Sequence, residues 1–255
     1  MTIFRLFSFC LALALCIPSG WAAPASMRMS TGTEISLRTF PGVGDTLMLG
    51  FPCDEGLGAQ EARSSQALAG LGLGLEAWLP DMLGSHGLPV ASSSMEQIPP
   101  EEVAEVIDQA VKLSGKRVVL VTTGRGAVPI LQGARIWLDR ATPQERAALI
   151  GAILFSPDLY SVKPAPGVEA RYHKIVAQTS MPVFIYQGQR SPGRWWLEHL
   201  KVEFTRGGSR ISSKVLPNVR GFFYAAQDPT DEEKAMTERL PELILDAIKQ
   251  LESTR

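Results

Sequence analysis

Cys53, His86, Arg125 and Asp158 each follow an apolar run by a few positions. From such positions, side chains of an open α/β sheet reach ligands beyond the carboxyl ends of the strands. Three chemistries fit these residues. In the first, the Cys53 thiol attacks a carbonyl, His86 takes its proton and Asp158 orients the imidazole. Asp54 and Glu55 oppose it, because adjacent carboxylates disfavour a thiolate. In the second, a helix starting after Gly126 aims unpaired N–H groups and its positive end at a small anion, with the backbone of Gly124 and Gly126 alongside. Arg125 adds a two-pronged charged donor and Arg190 approaches from a later loop; the competing arrangement pairs Arg125 with a neighbouring carboxylate. In the third, no reaction occurs and the surface recognises a periplasmic protein partner, using Trp195 and Trp196 after the Ser191-Pro192-Gly193-Arg194 turn. Adjacent tryptophans at a helix start should bury one ring and leave the other partly exposed.

Other chemistries find little support. His173 and His199 have no Cys, His, Asp or Glu at a metal-ligand spacing, so no metal is expected. Gly70-Leu71-Gly72-Leu73-Gly74 precedes a strand rather than opening a helix, the wrong context for a dinucleotide, and no cofactor is expected. The net charge of −1, with no long basic run, gives no general attraction to nucleic acid.

The elements that must position these residues alternate short apolar runs with helical patterns, the signature of βαβ units and a mostly parallel sheet. Strands are predicted over 34–40, 46–51, 75–80, 118–123, 149–155 and 182–187, with 221–225 closing the sheet. Helices are predicted over 58–71, from Pro99-Pro100-Glu101-Glu102 onward, over 127–139, 195–203 and 231–251. The helix after Pro99 should bury Val103, Val106, Ile107, Ala110, Val111 and Leu113, which recur at helical spacing. The β-branched run at 118–123 suits a central strand buried on both faces.

Residues 1–23 read as a secretory signal sequence: Arg5, then an apolar stretch over 6–17, then Trp21-Ala22-Ala23 with cleavage after Ala23. A lipoprotein signal ending at Cys16 is the alternative. The apolar stretch is shorter than the ~20 residues a spanning helix needs. Residues 24–255 are then one domain, periplasmic or secreted, in which Cys53 is the single cysteine and no internal disulfide can form.

Several segments, in order, resemble the α/β-hydrolase family. Leu47-Met48-Leu49-Gly50-Phe51-Pro52 is similar to its turn after the third strand, and Pro80-Asp81-Met82-Leu83-Gly84-Ser85-His86-Gly87 to its Pro-Asp-x-x-Gly-His-Gly segment with one insertion. The resemblance runs from about Glu34 to Leu251 and implies a three-layer α/β/α sandwich with a mostly parallel sheet. It also implies a nucleophile elbow, Gly-x-Ser-x-Gly, after the fifth strand. Here that segment reads Thr122-Thr123-Gly124-Arg125-Gly126, with Gly124 in the serine position. Gly188-Gln189-Arg190-Ser191-Pro192 places Ser191 where the family has its acid. Leu216-Pro217-Asn218-Val219-Arg220-Gly221-Phe222-Phe223 places Gly221 where it has its histidine. Nucleophile, base and orienting acid are all needed for acyl transfer. The resemblance therefore implies the scaffold of a hydrolase and a non-catalytic protein. A hydrolase using non-standard residues is the alternative.

Overall fold

The computed structural model describes residues 25–53, 56–70, 74–165 and 167–253. The expected signal sequence lies outside them. An edge strand, β1 (Ser26–Arg28), pairs antiparallel with β2 (Glu34–Phe40). Then come β3 (Thr46–Gly50), α1 (Ala59–Gly70), β4 (Glu76–Pro80), two short helices α2 (Met82–Ser85) and α3 (Ser92–Met95), α4 (Pro100–Ser114) and β5 (Arg117–Thr123). Next follow α5 (Ala127–Arg140), α6 (Pro143–Ala148), β6 (Leu149–Phe155), a hairpin of β7 (Tyr160–Val162) and β8 (Arg171–Tyr172), and β9 (Val183–Gly188). The chain ends with α7 (Leu197–Arg206), β10 (Ile211–Leu216), α8 (Asp231–Glu238) and α9 (Leu240–Ser253).

Eight strands form one sheet in the order β1-β2-β4-β3-β5-β6-β9-β10. From β4 to β10 every neighbouring pair is parallel, and β2 joins β4 antiparallel. Parallel pairing demands a crossover after each strand, so helices cover both faces. Along β5 the side chains alternate between two cores. Val118 and Leu120 pack with Val106 and Ile107 of α4 and Leu131 of α5, while Val119 packs with Leu243 and Ile244 of α9. The result is the expected three-layer α/β/α sandwich.

Local signals account for most of these elements. Pro100 and two acids open α4, and Gly115 closes it at φ +62°, a conformation that costs glycine little. Thr142 with Glu145, and Thr230 with Glu233, form reciprocal capping boxes for α6 and α8.

Four sequence expectations need correction. The last strand is Ile211–Leu216, not 221–225. An edge strand is only partly buried, so its polar sequence hid it, whereas the Phe-Phe-Tyr run beyond it is a loop containing a 3₁₀ turn at Phe223–Ala225. Residues 231–251 form two helices, because Pro241 cannot donate within a continuing helix. Leu113 is 43% exposed, at the far rim of the α4 stripe. Trp195 is 80% exposed and Trp196 only half-buried, so neither ring enters the core; both close a 3₁₀ turn, Pro192–Trp196, ahead of α7.

Ile107 is fully buried, and Ile107→Ala is expected to lower unfolding free energy by about 2–5 kcal/mol. Leu113→Ala should change it by less than about 0.5 kcal/mol. Urea unfolding of both variants measures the contrast.

Candidate functional site

The bend after β5 sits where the sheet's connections converge. Gly124 adopts φ +57° and the chain turns through a 3₁₀ step into α5. Its carbonyl accepts the Asp158 N–H at 3.0 Å, tying the bend to the segment after β6. On the other side Gly126 lies so close that a Cβ there would overlap the Thr122 hydroxyl and the Pro52 carbonyl oxygen. Only glycine lets the segments after β3 and β5 approach this closely.

Arg125 departs from this bend with its charge already engaged. Its guanidinium pairs with Glu96, lies 3.5 Å from an Asp158 carboxylate oxygen and donates to the Tyr160 carbonyl at 2.7 Å. His173 Nε2 stands 3.3 Å from it. The hydrogen bond from Arg125 holds the Glu96 carboxyl below its usual range. In the anion crevice expected at Gly124, Arg125 and Gly126 the arginine thus already has protein partners. Two carboxylates compensate the arginine, and Arg190 lines a separate cleft. Arg125 is a clamp between α3, the bend and the β7–β8 hairpin.

The triad sketched from Cys53, His86 and Asp158 is likewise not assembled. His86 Nε2 lies 2.9 Å from the Glu102 carboxylate of α4. Asp158 faces Arg125. Cys53 is buried and lines a pocket of about 60 Å³ with Glu61, Ser65, Thr123, Phe155 and Tyr224. Tyr224 donates to Thr123 Oγ1 at 2.6 Å, and burial, with help from Cys53 and Glu61, pushes its phenol well up. Burial also raises the Glu61 carboxyl. Each residue of the sketched triad has a different neighbour because each ends a different strand. Spacing along the chain could not supply those directions.

A cleft of about 810 Å³ opens beyond β6, β9 and β10. Ser156, the residue after β6, holds φ +41°, an uncommon value for a side-chain-bearing residue. Its Oγ accepts the Gly188 N–H at 3.2 Å and Gln187 Nε2 at 3.3 Å. Gln187 is 2% exposed. A Cβ added at Gly221 would lie 3.4 Å from Ser156 Oγ and 3.5 Å from Ser191 Oγ. Lys163, Arg190 and Arg220 line the same cleft. Arg220 braces its wall, with two hydrogen bonds to the buried Glu233 carboxylate at 2.6 and 2.7 Å and an ion pair to Asp228. Those bonds hold the Glu233 carboxyl down at about 2.

Sequence reasoning missed Ser156, Gln187, Lys163 and Tyr224. Ser156 directly follows an apolar run and was open to the same rule that singled out Asp158. Tyr224 carries no local signal, since its partners lie on β5 and the loop beyond β3. Among the described residues no three His, Cys, Asp or Glu side chains converge to hold a metal ion, and no helix is long and apolar enough to cross a membrane.

Solved structures share this arrangement at low sequence identity. A Klebsiella pneumoniae protein with a provisional dienelactone hydrolase assignment superposes with TM-score 0.61 at 13% identity, over 87% of this chain and 95% of that one. A dienelactone hydrolase-like promiscuous phosphotriesterase from metagenomic libraries gives 0.58 at 13%, covering 89% and 96%. Est1E from Butyrivibrio proteoclasticus gives 0.57 at 13%, covering 89% and 100%. The fold is that of the α/β hydrolases. No family model and no curated protein sequence matches the chain.

Glu233 titrates at about 2 in the fold against 4.5 ordinarily. A depressed carboxyl contributes stability that is complete above its ordinary value and is lost as pH falls toward its folded value. The melting temperature should therefore drop between about pH 5 and pH 2, and Glu233→Gln should flatten that slope in a calorimetric pH series.

Proposed function

We propose that this chain is an exported protein that keeps the α/β-hydrolase scaffold for binding and has given up acyl transfer. The observation that carries the reading is Gly124 at the bend after β5, with φ +57° and no side chain. An elbow imposes such a strained backbone on its nucleophile; here the bend persists without one. Two further features support it. A Cβ at Gly221, the position given to the base, would lie 3.5 Å from Ser191 Oγ, in the position given to the acid, so the two positions are neighbours in space as a histidine–acid pair requires. Both residues there lack a titratable group. The hydrolases of similar fold supply the scaffold comparison, and their reactions are theirs alone.

The second reading is a cysteine-type ester or thioester hydrolase working from the Cys53 cavity, favoured by the half-buried Glu61 carboxyl that lines it. Against it, the cavity is far smaller than the ~300 Å³ at which ligand sites begin, and a thiol buried in apolar surroundings resists ionisation.

Wild-type protein should show no turnover of short nitrophenyl esters and no labelling by a fluorophosphonate. Gly124→Ser with Gly221→His should gain labelling if the register is right. Wild-type turnover abolished by Cys53→Ser would establish the second reading instead. Export makes its own prediction: mass spectrometry of protein recovered from the periplasm of a bacterial host should find an N-terminus at Pro24, and an intact Met1 would remove the proposal.

A further inference from the structure

The 810 Å³ cleft presents hydrogen-bond donors and positive charge with little to oppose them. Its carboxylates are engaged: Asp158 with Arg125, and Asp228 with Arg220, which also holds Glu233 behind the wall. Lys163 and Arg190 line the cleft, and among the described residues neither meets a carboxylate. Ser156 is set up as a donor. Two N–H groups point at its Oγ, from Gln187 and Gly188, occupying its lone pairs and leaving its hydroxyl hydrogen to be given away. Gln187 explains itself by the same geometry. Its amide is buried at the end of a strand whose preceding residues, Val183 to Tyr186, are buried and mostly apolar, and the contact it makes is to Ser156. A buried amide costs desolvation unless it is hydrogen-bonded, and the Ser156 hydroxyl is the partner that satisfies this one. Ser156 also carries backbone strain at φ +41°, of the kind that collects at binding sites. Gly221 lies at the floor: an added Cβ would sit 3.2 Å from Ser156 Cβ and in ordinary contact with both serine hydroxyls, so a long side chain there would take up the space beside them.

We propose that this cleft binds a small organic anion, a carboxylate or phosphate monoester, with its charged group at Lys163 and Arg190 and hydrogen bonds from Ser156 and Ser191. The volume favours an organic molecule over a bare inorganic ion, since ligand sites span about 300–1,000 Å³. Arg190 supplies the planar fork that recognises either oxyanion in two-pronged fashion, and Lys163 a point charge. Gln187 is a positioning residue, acting through Ser156. The inference rests on the non-catalytic reading above and names the ligand class for it.

Isothermal titration of the full chain with succinate, glycerol 3-phosphate and inorganic phosphate tests it, with glycerol as the uncharged control. Wild type should bind succinate or glycerol 3-phosphate saturably at one site, and which of the two binds identifies the charged group. Lys163→Gln with Arg190→Gln should weaken binding by at least about tenfold, as loss of two charge-assisted contacts requires. Both side chains are exposed, so this variant should keep the wild-type melting temperature. Gly221→Leu, which fills the floor, should abolish binding, and Gln187→Leu should weaken it unless Ser156 is already alanine. No saturable heat with either organic anion, equal heats with glycerol, or unchanged binding by the double variant would overturn the proposal. Ester turnover measured on the same preparation separates the two claims. Its appearance sinks the non-catalytic reading, whereas its absence together with absent binding sinks the ligand class alone.

Discussion

Parallel hydrogen bonding between β3, β5, β6 and β9 is the constraint from which the rest follows. Parallel neighbours cannot be joined by a tight turn, so each connection crosses a face of the sheet as a helix or excursion. All four strands then end at one edge, and the segments leaving them must share a small volume. Gly50, Gly124, Ser156 and Gly188 are the residues at those exits. Close approach explains Gly126 against Pro52, and it explains why Ser156 can take N–H groups from the end of β9.

Charge at this edge is organised by two arginines with different duties. Arg125 clamps α3 to the hairpin, and its side chain is only 13% exposed. A guanidinium held that far from water needs compensation, and Glu96, Asp158 and backbone carbonyls provide it. Arg220 does the same for the wall formed after β10, through a carboxylate that is itself fully buried. Consuming the local carboxylates in these clamps leaves Lys163 and Arg190 to set the character of the cleft between them. Structural ion pairs and the proposed binding surface thus draw on one set of charges.

The hairpin of β7 and β8 contributes Tyr160 to the cleft. It departs from β6, stacks Tyr160 on Tyr172 at 5.3 Å and donates the Tyr172 hydroxyl to the Trp196 carbonyl. Lys163 and Pro164, just beyond β7, line the cleft together with the loop from Arg190 to Gly193. An aromatic stack of this kind contributes about 0.5–1.5 kcal/mol beyond its buried area and joins the two strands of the hairpin to each other, while the Tyr172 hydroxyl ties them to the turn before α7.

Periodicity and local signals in the sequence determined the layers: apolar runs alternating with helical stripes, Pro100 and two acids opening α4, and the β-branched run of β5 as a two-face strand. The same signals gave the bend at Gly124, because an apolar strand followed by Gly-Arg-Gly and a helical stripe has few other ways to turn. They failed at β10, where partial exposure removes the apolar pattern, and at β7 and β8, where strands of three and two residues are too short to show a period. Residue types near strand ends named Cys53, His86, Arg125 and Asp158, yet a strand end specifies only the edge, not the direction of the side chain or the identity of its neighbour. Tertiary structure decided that His86 meets Glu102, that Arg125 meets Glu96 and Asp158, and that Ser156, Gln187 and Ser191 meet around the space left by Gly221. The reason is physical: secondary structure depends on contacts within a few residues, whereas a site depends on which strand lies beside which, and that is settled only when distant segments pack.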